Sequence, residues 1–197
     1  MTPPAKILTL QVAEAWARLN RAESSALASL LDAAEMAAVN RRLNRPVPKL
    51  AWVPATMGPE GGRFGAPNGP GVLYLGADLD TCVAEVQHHH ALFCAQSTGA
   101  PVGTRATFLH LSFGVKGGMA DVSKGHTALH DPNDYSASWA YGWQVRAADL
   151  DGVHYRSVRK RGSRCVGVFK DGAVNLLRQE TGAVILEWDG TASRRTA

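Results

Sequence analysis

Glu85 is the side chain whose type and setting point most directly to chemistry. It sits in Thr81-Cys-Val-Ala-Glu85-Val, a weakly polar stretch with apolar neighbours. A carboxylate there is either paired at the margin of a core or turned toward a cleft. Arg63 is the only charged side chain between Glu60 and Asp78, in a loop dense with glycine and proline. Tyr74 lies near the end of a short apolar run and combines a ring with a hydroxyl. Ser157 and Arg159 fall in the basic run from Tyr155 to Arg164. A serine becomes a nucleophile only beside a base, and no G-x-S-x-G elbow surrounds Ser157.

Other patterns carry less. The loop over 54–71 has neither GxxxxGK[ST] nor a G-x-G-x-x-G joining strand to helix, so it is not a known phosphate cradle. His88, His89 and His90 are consecutive, and neighbours on one helix face are three or four apart, so they cannot share one metal ion. No HExxH-like pattern surrounds them, and no metal is expected. Cys82, Cys94 and Cys165 form no CxxC pair and their number is odd, which predicts reduced thiols in a cytoplasmic protein.

These residues need elements to position them. Apolar spacing and a composition rich in Ala, Leu and Glu predict helix over 11–42, ended by Pro46 and Pro48. Residues 72–75 read as a buried strand, followed by a helix capped by Asp78 or Asp80 and running to about 96. Strands are predicted at 107–113, 165–170 and 183–188, with a short helix at 138–146 and irregular chain over 121–135. No βαβ rhythm appears, so the fold class is α+β. The division that follows is a helical extension over 1–45 and a main domain over 46–197.

Composition agrees with a globular chain: 197 residues, 45% hydrophobic and 19% charged. A net charge of +4 favours an anionic ligand without choosing one. Residues 1–10 lack the apolar core of a signal peptide. No apolar run approaches the roughly 20 residues that span a bilayer.

Taken in order, the segments resemble the RES family, named for Arg, Glu and Ser positions. They are Gly62-Arg63-Phe64, Leu73-Tyr74-Leu75, the Glu85 segment, Asp131-Pro-Asn-Asp-Tyr135, the 138–146 helix, Asp151-Gly-Val-His-Tyr-Arg-Ser157-Val-Arg159 and Cys165-Val-Gly-Val-Phe169. The resemblance covers roughly residues 52–175. It departs at Arg156, where a smaller residue or proline is expected before the serine.

The resemblance implies an ADP-ribosyltransferase-like fold, with mixed and antiparallel sheets flanked by helices. It also implies a toxin of a bacterial toxin–antitoxin pair that uses NAD+ as substrate. Carried over, Glu85, Arg63 and Ser157 are catalytic, and Arg63, Tyr74, Glu85, Ser157 and Arg159 bind NAD+. Nicotinamide leaves as a neutral base, so cleavage needs no general acid. It develops an oxocarbenium-like ribose that a carboxylate such as Glu85 can stabilise. Tyr74 would stack on nicotinamide, and Ser157 would orient Glu85 or the ribose. The acceptor expected is a protein side chain, which makes the enzyme an ADP-ribosyltransferase. The alternative is an NAD+ glycohydrolase or phosphorylase that depletes NAD+. A cognate antitoxin of the Xre type is the implied partner. Two other classes remain: a polyanion-binding module using the basic run, and an interaction protein using the 11–42 helices. Direct nucleic-acid binding is not expected, because the run lacks interleaved aromatics and a helix-turn-helix pattern.

Overall fold

A computed structural model describes residues 6–10, 15–21, 51–97 and 100–196. Among these residues nine strands form one mixed sheet, and two α-helices cover part of it. The strands are β1 (Lys6–Leu10), β2 (Ala15–Arg21), β3 (Leu73–Gly76), β4 (Arg105–Val115), β5 (Gly117–Asp121), β6 (Gly152–Arg156), β7 (Arg164–Val168), β8 (Val174–Trp188) and β9 (Ser193–Arg195). The helices are α1 (Leu79–Gln96) and α2 (Ser136–Ala147). Across the sheet the order is β1-β5-β6-β7-β3-β2-β4-β8-β9. The β5–β6 pair is parallel and the other pairs are antiparallel. This α+β architecture is the class expected.

Period-two alternation assigns the faces. Leu73 and Leu75 of β3 and Val166 and Val168 of β7 pack with Trp16, Leu111 and Phe113 in one core cluster. Tyr74 and Cys165 take the intervening positions, in a second cluster with Phe64, Tyr141, Val145 and Tyr155. A third cluster joins Cys82 and Val83 of α1 to Ala17, Leu19, Phe108 and Leu186. The two helices thus stand over different parts of the sheet.

The helix expected over 11–42 is corrected at residues 15–21, which form β2. This strand pairs along β4 from Ala15 opposite Gly114 to Arg21 opposite Phe108. Trp16 is buried in one cluster while Ala17 and Leu19 are buried in another. Ala15 and Leu19 are also spaced as on one helix face, so apolar spacing in this stretch fits a helix as well as a strand. Sheet pairing overrides the weak helical preference of the composition. β1 and β2 are therefore strands of the common sheet. The remainder of 11–42 lies outside the described residues. The strand expected at 183–188 is the second half of β8, and β1, β5, β6 and β9 had no counterpart in the sequence reading.

Candidate active site

Topology brings Glu85 and Ser157 together. β3 ends at Gly76, opposite Cys165 near the start of β7. The helix that follows β3 therefore meets the 157–163 loop that precedes β7. Asp78 caps α1 by accepting from the Thr81 N–H at 2.7 Å. The same carboxylate accepts from Lys160 Nζ at 2.9 Å, and the Thr81 and Ser163 hydroxyls are hydrogen-bonded to each other. These contacts tie the loop to the first turn of α1.

Within that loop the Ser157 Oγ accepts from the backbone N–H groups of Arg159 and Lys160, at 3.2 and 2.9 Å. It donates to Glu85 Oε1 at 2.6 Å. Ser157 is buried and Glu85 is half-buried. The serine hydroxyl is thus fixed by two donors and spends its own proton on the carboxylate. Among the described residues no Lys or Arg lies within ion-pair distance of Glu85.

Arg63 and Tyr74 arrive from the opposite wall. The Tyr74 hydroxyl accepts from the Phe64 N–H at 2.9 Å, and Trp139 Nε1 donates to the Gly62 carbonyl at 2.8 Å. Gly62 is required there, because a Cβ would lie 2.8 Å from the Tyr74 hydroxyl. Gly142 of α2 likewise lets the helix ride against the Phe64 carbonyl, which a Cβ would approach to 2.4 Å. The loop over 54–71 is consequently a packed structure held by α2 and β3. Arg63 is only 7% exposed, and its Nη1 donates to the carbonyls of Leu129 and Asp131 at 3.0 and 2.9 Å. Its guanidinium lies over the Tyr135 ring, 4.6 Å from the centroid.

Between these walls lies a cavity of about 350 Å³, within the range of small-molecule sites. Arg63, Tyr74 and Glu85 line it, together with Cys82, His89, Tyr135, Tyr155 and Cys165. Ser157 reaches it through Glu85. Arg159 is not part of the lining; its guanidinium donates to the Pro132 carbonyl. The structure thus assembles Arg63, Tyr74, Glu85 and Ser157 and leaves Arg159 beside them.

The thiols that line the cavity are poor nucleophiles. Burial pushes Cys82 up to about 12, and burial with the nearby Glu85 charge raises Cys165 further. Burial also raises the Tyr74 and Tyr155 phenols, so both remain protonated. Among the described residues no group of three or more His, Cys, Asp or Glu could hold a metal ion. Of the consecutive histidines, His90 is buried with Nδ1 against the Ser193 hydroxyl at 2.7 Å and Nε2 3.7 Å from Cys94 Sγ. His89 lines the cavity instead. The sequence reading passed over it, although its place four residues after Glu85 puts the two on one helix face. No described helix is long and apolar enough to cross a membrane.

Comparison with known proteins bears on the family and the fold. The RES domain family model matches residues 39–189. Among solved structures, the chain is similar to one in the crystal structure of the M. tuberculosis MbcT–MbcA toxin–antitoxin complex. The TM-score is 0.55 at 16% identity, over 87% of this chain and 85% of that one. No curated protein matches the chain.

Proposed function

The chain belongs to the RES-domain family, and from that premise we propose that it is the toxin of a toxin–antitoxin pair and cleaves the nicotinamide–ribose bond of NAD+. The observation that carries this reading is the Ser157 hydroxyl on Glu85 Oε1 at 2.6 Å, beside a cavity also lined by Arg63 and Tyr74.

Among the described residues no Lys or Arg pairs with the aimed carboxylate, which suits it to face positive charge that develops only in the transition state. As the C1″–N bond of the nicotinamide ribose breaks, the electron pair returns to the pyridine ring and positive charge spreads over C1″ and the ring oxygen. Glu85 stabilises that charge and accepts a hydrogen bond from the 2″-hydroxyl. Arg63 keeps one nitrogen on the Leu129 and Asp131 carbonyls and presents the remainder of its fork to a ribose or phosphate oxygen. Tyr74 offers its ring to nicotinamide. Arg159, at the edge, meets the pyrophosphate.

The ADP-ribosyl group then passes to an acceptor: a protein side chain in a transferase, water in a glycohydrolase, or phosphate in a phosphorylase. A helical surface over 11–42 would have favoured a protein acceptor, and the strand at 15–21 removes part of that support. A neutralising partner is expected for a chain that consumes NAD+ in the cytoplasm. MbcT is solved with MbcA as a toxin–antitoxin complex, and an antitoxin of the Xre type is the partner proposed here.

The polyanion-binding alternative is weakened by how the basic run is used. Arg156 donates to the Gly125 carbonyl, Arg159 to that of Pro132, and Lys160 pairs with Asp78 and Asp80.

The test is NMR of NAD+ incubated with the protein, with and without phosphate, beside Glu85→Ala. Loss of the nicotinamide–ribose signals in the wild type but not in the variant is expected. The product names the acceptor: free ADP-ribose for water, its 1″-phosphate for phosphate, and protein-bound label in bacterial lysate for transfer. NAD+ intact in every sample, lysate with labelled NAD+ included, would overturn the reading.

A further inference from the structure

The proposed cleavage leaves one task unassigned. An acceptor that carries a proton, water or a hydroxyl, must lose it as its oxygen bonds to C1″. Glu85 is committed below the sugar, and its Oε1 already accepts from Ser157. Ser157 is held by two backbone donors and spends its proton on Glu85, so it has no basic role. The cavity thiols and the Tyr74 and Tyr155 phenols are held protonated, and the Tyr135 ring is taken up beneath the Arg63 guanidinium.

His89 remains. It follows Glu85 by four residues on α1, which places the two Cβ atoms roughly 5–6 Å apart on one face. Both side chains line the cavity. They differ in access: Glu85 is half-buried, whereas His89 is exposed. Helix spacing thus sets the more exposed imidazole one turn along the same cavity wall from the carboxylate, where solvent reaches it.

Resting on the NAD+ reading, we propose that His89 is the general base of the reaction and that the acceptor is a neutral O–H group, water or a protein hydroxyl. In the step, the acceptor O–H passes its proton to an imidazole nitrogen and the oxygen forms the bond to C1″. The C1″–N bond breaks, and its electron pair leaves on neutral nicotinamide. Phosphate dianion or a side-chain carboxylate would need no such base.

The electrical setting agrees. Although part of its ring is open to solvent, His89 is shifted toward the neutral imidazole, first by desolvation of the part that is covered. The groups that act on it are Glu85 on α1, which opposes the shift, and Arg159 and Arg63 from the two flanking loops, which favour it. Its neighbour His88, 5.4 Å away between ring centroids, is held to about 4 by burial and the nearby Arg159 and His89 charges, so it is also neutral near pH 7. A neutral imidazole accepts a proton, and a protonated one cannot.

His89→Ala and His89→Gln are to be compared with wild type for NAD+ turnover across pH, with water, with phosphate and with lysate protein as acceptors. The expected result is a fall in kcat of about 10²-fold or more in both variants. KM for NAD+ should stay within about twofold, because the base acts on the acceptor. Wild type should lose activity below the ordinary imidazole range of about pH 6.5, and the variants should lack that limb. Added imidazole should restore part of the rate to His89→Ala. Free ADP-ribose would identify water as acceptor, and label stable on a protein hydroxyl would identify transfer. Recovery of activity in His89→Gln would reduce the residue to hydrogen bonding and overturn the proposal. So would a change confined to KM, or wild-type turnover that proceeds only with phosphate. Glu85-dependent cleavage indifferent to His89 would sink this proposal alone, whereas no cleavage by wild type with any acceptor would sink the NAD+ reading beneath it.

Discussion

Among the described residues, two serine–glutamate hydrogen bonds have different consequences. Ser112 Oγ donates to Glu180 Oε1 at 2.5 Å, much as Ser157 donates to Glu85 at 2.6 Å. Ser112 lies on β4 and Glu180 on β8, where the register of the two strands shifts. Arg178 Nε also reaches Glu180 Oε1, at 2.7 Å. The Ser112 hydrogen bond, and then the Arg178 contact, hold this carboxyl below its ordinary value. Glu85 accepts the same kind of serine bond, has no Lys or Arg within ion-pair distance among the described residues, and opens on a cavity. One carboxylate is used up in holding a strand pair. The other is oriented by its serine and faces the cavity.

The largest test of this contrast is to remove each charge while keeping the shape. Glu85→Gln should lower NAD+ cleavage by about 10²–10³-fold, the usual cost of losing one preorganised electrostatic contact. Glu180→Gln should leave the rate unchanged. Parallel NAD+ turnover and thermal melts check both, since each variant must remain folded. Equal losses in the two would break the distinction between an oriented and a neutralised carboxylate.

How far the sequence foretold this site depends on the kind of signal each residue carries. Glu85, Arg63, Tyr74 and Ser157 are legible because each occupies a motif whose order along the chain can be compared. The Asp78 cap and the bounds of α1 are legible because capping and helical spacing are local. His89 was hidden by its own neighbours: a run of three histidines prompts a metal reading, and only the helix phase separates the cavity-lining ring from the buried His90. The strand at 15–21 was hidden for another reason. Its pairing with β4 joins residues about 90 apart, and no local propensity reports a contact of that range. The structural duty of Arg63 was missed likewise, because its partners are backbone carbonyls at 129 and 131. Carbonyls leave no mark on sequence.

A smaller effect separates the two serines. Ser157→Ala removes the acceptor for the Arg159 and Lys160 N–H groups as well as the donor to Glu85. Turnover should fall by about tenfold or more as the carboxylate loses its fixed position. Ser112→Ala removes one bond to a carboxylate that keeps Arg178. It should cost about 1 kcal/mol in chemical denaturation and nothing in turnover. An equal fall in turnover for both would mean that loss of fold, not of orientation, accounts for the Ser157 effect.

Asp78 extends the comparison to a third carboxylate, one that caps a helix and also meets a cation. Its hydrogen bonds with Thr81 and Lys160, and the Lys160 charge, hold it at about 2. The ion pair itself adds little, because the Asp78 side chain is 55% exposed and solvent screens it. The cap is the larger contribution, so Asp78→Ala should cost about 1 kcal/mol of stability. The sign of the pH dependence follows from the lowered folded value. An unfolded aspartate titrates near 3.9, so the contribution is fully present above that pH and is lost as pH falls toward about 2. The gap in denaturation free energy between wild type and Asp78→Ala should therefore be constant from neutrality down to about pH 4 and narrow below it. Turnover at neutral pH should change less than for any Glu85 or Ser157 variant, since Asp78 does not line the cavity. A pH-independent gap would show that the variant acts through helix propensity and not through the charged cap. A large loss of turnover would show that the 157–163 loop depends on Lys160–Asp78 to deliver Ser157 to Glu85.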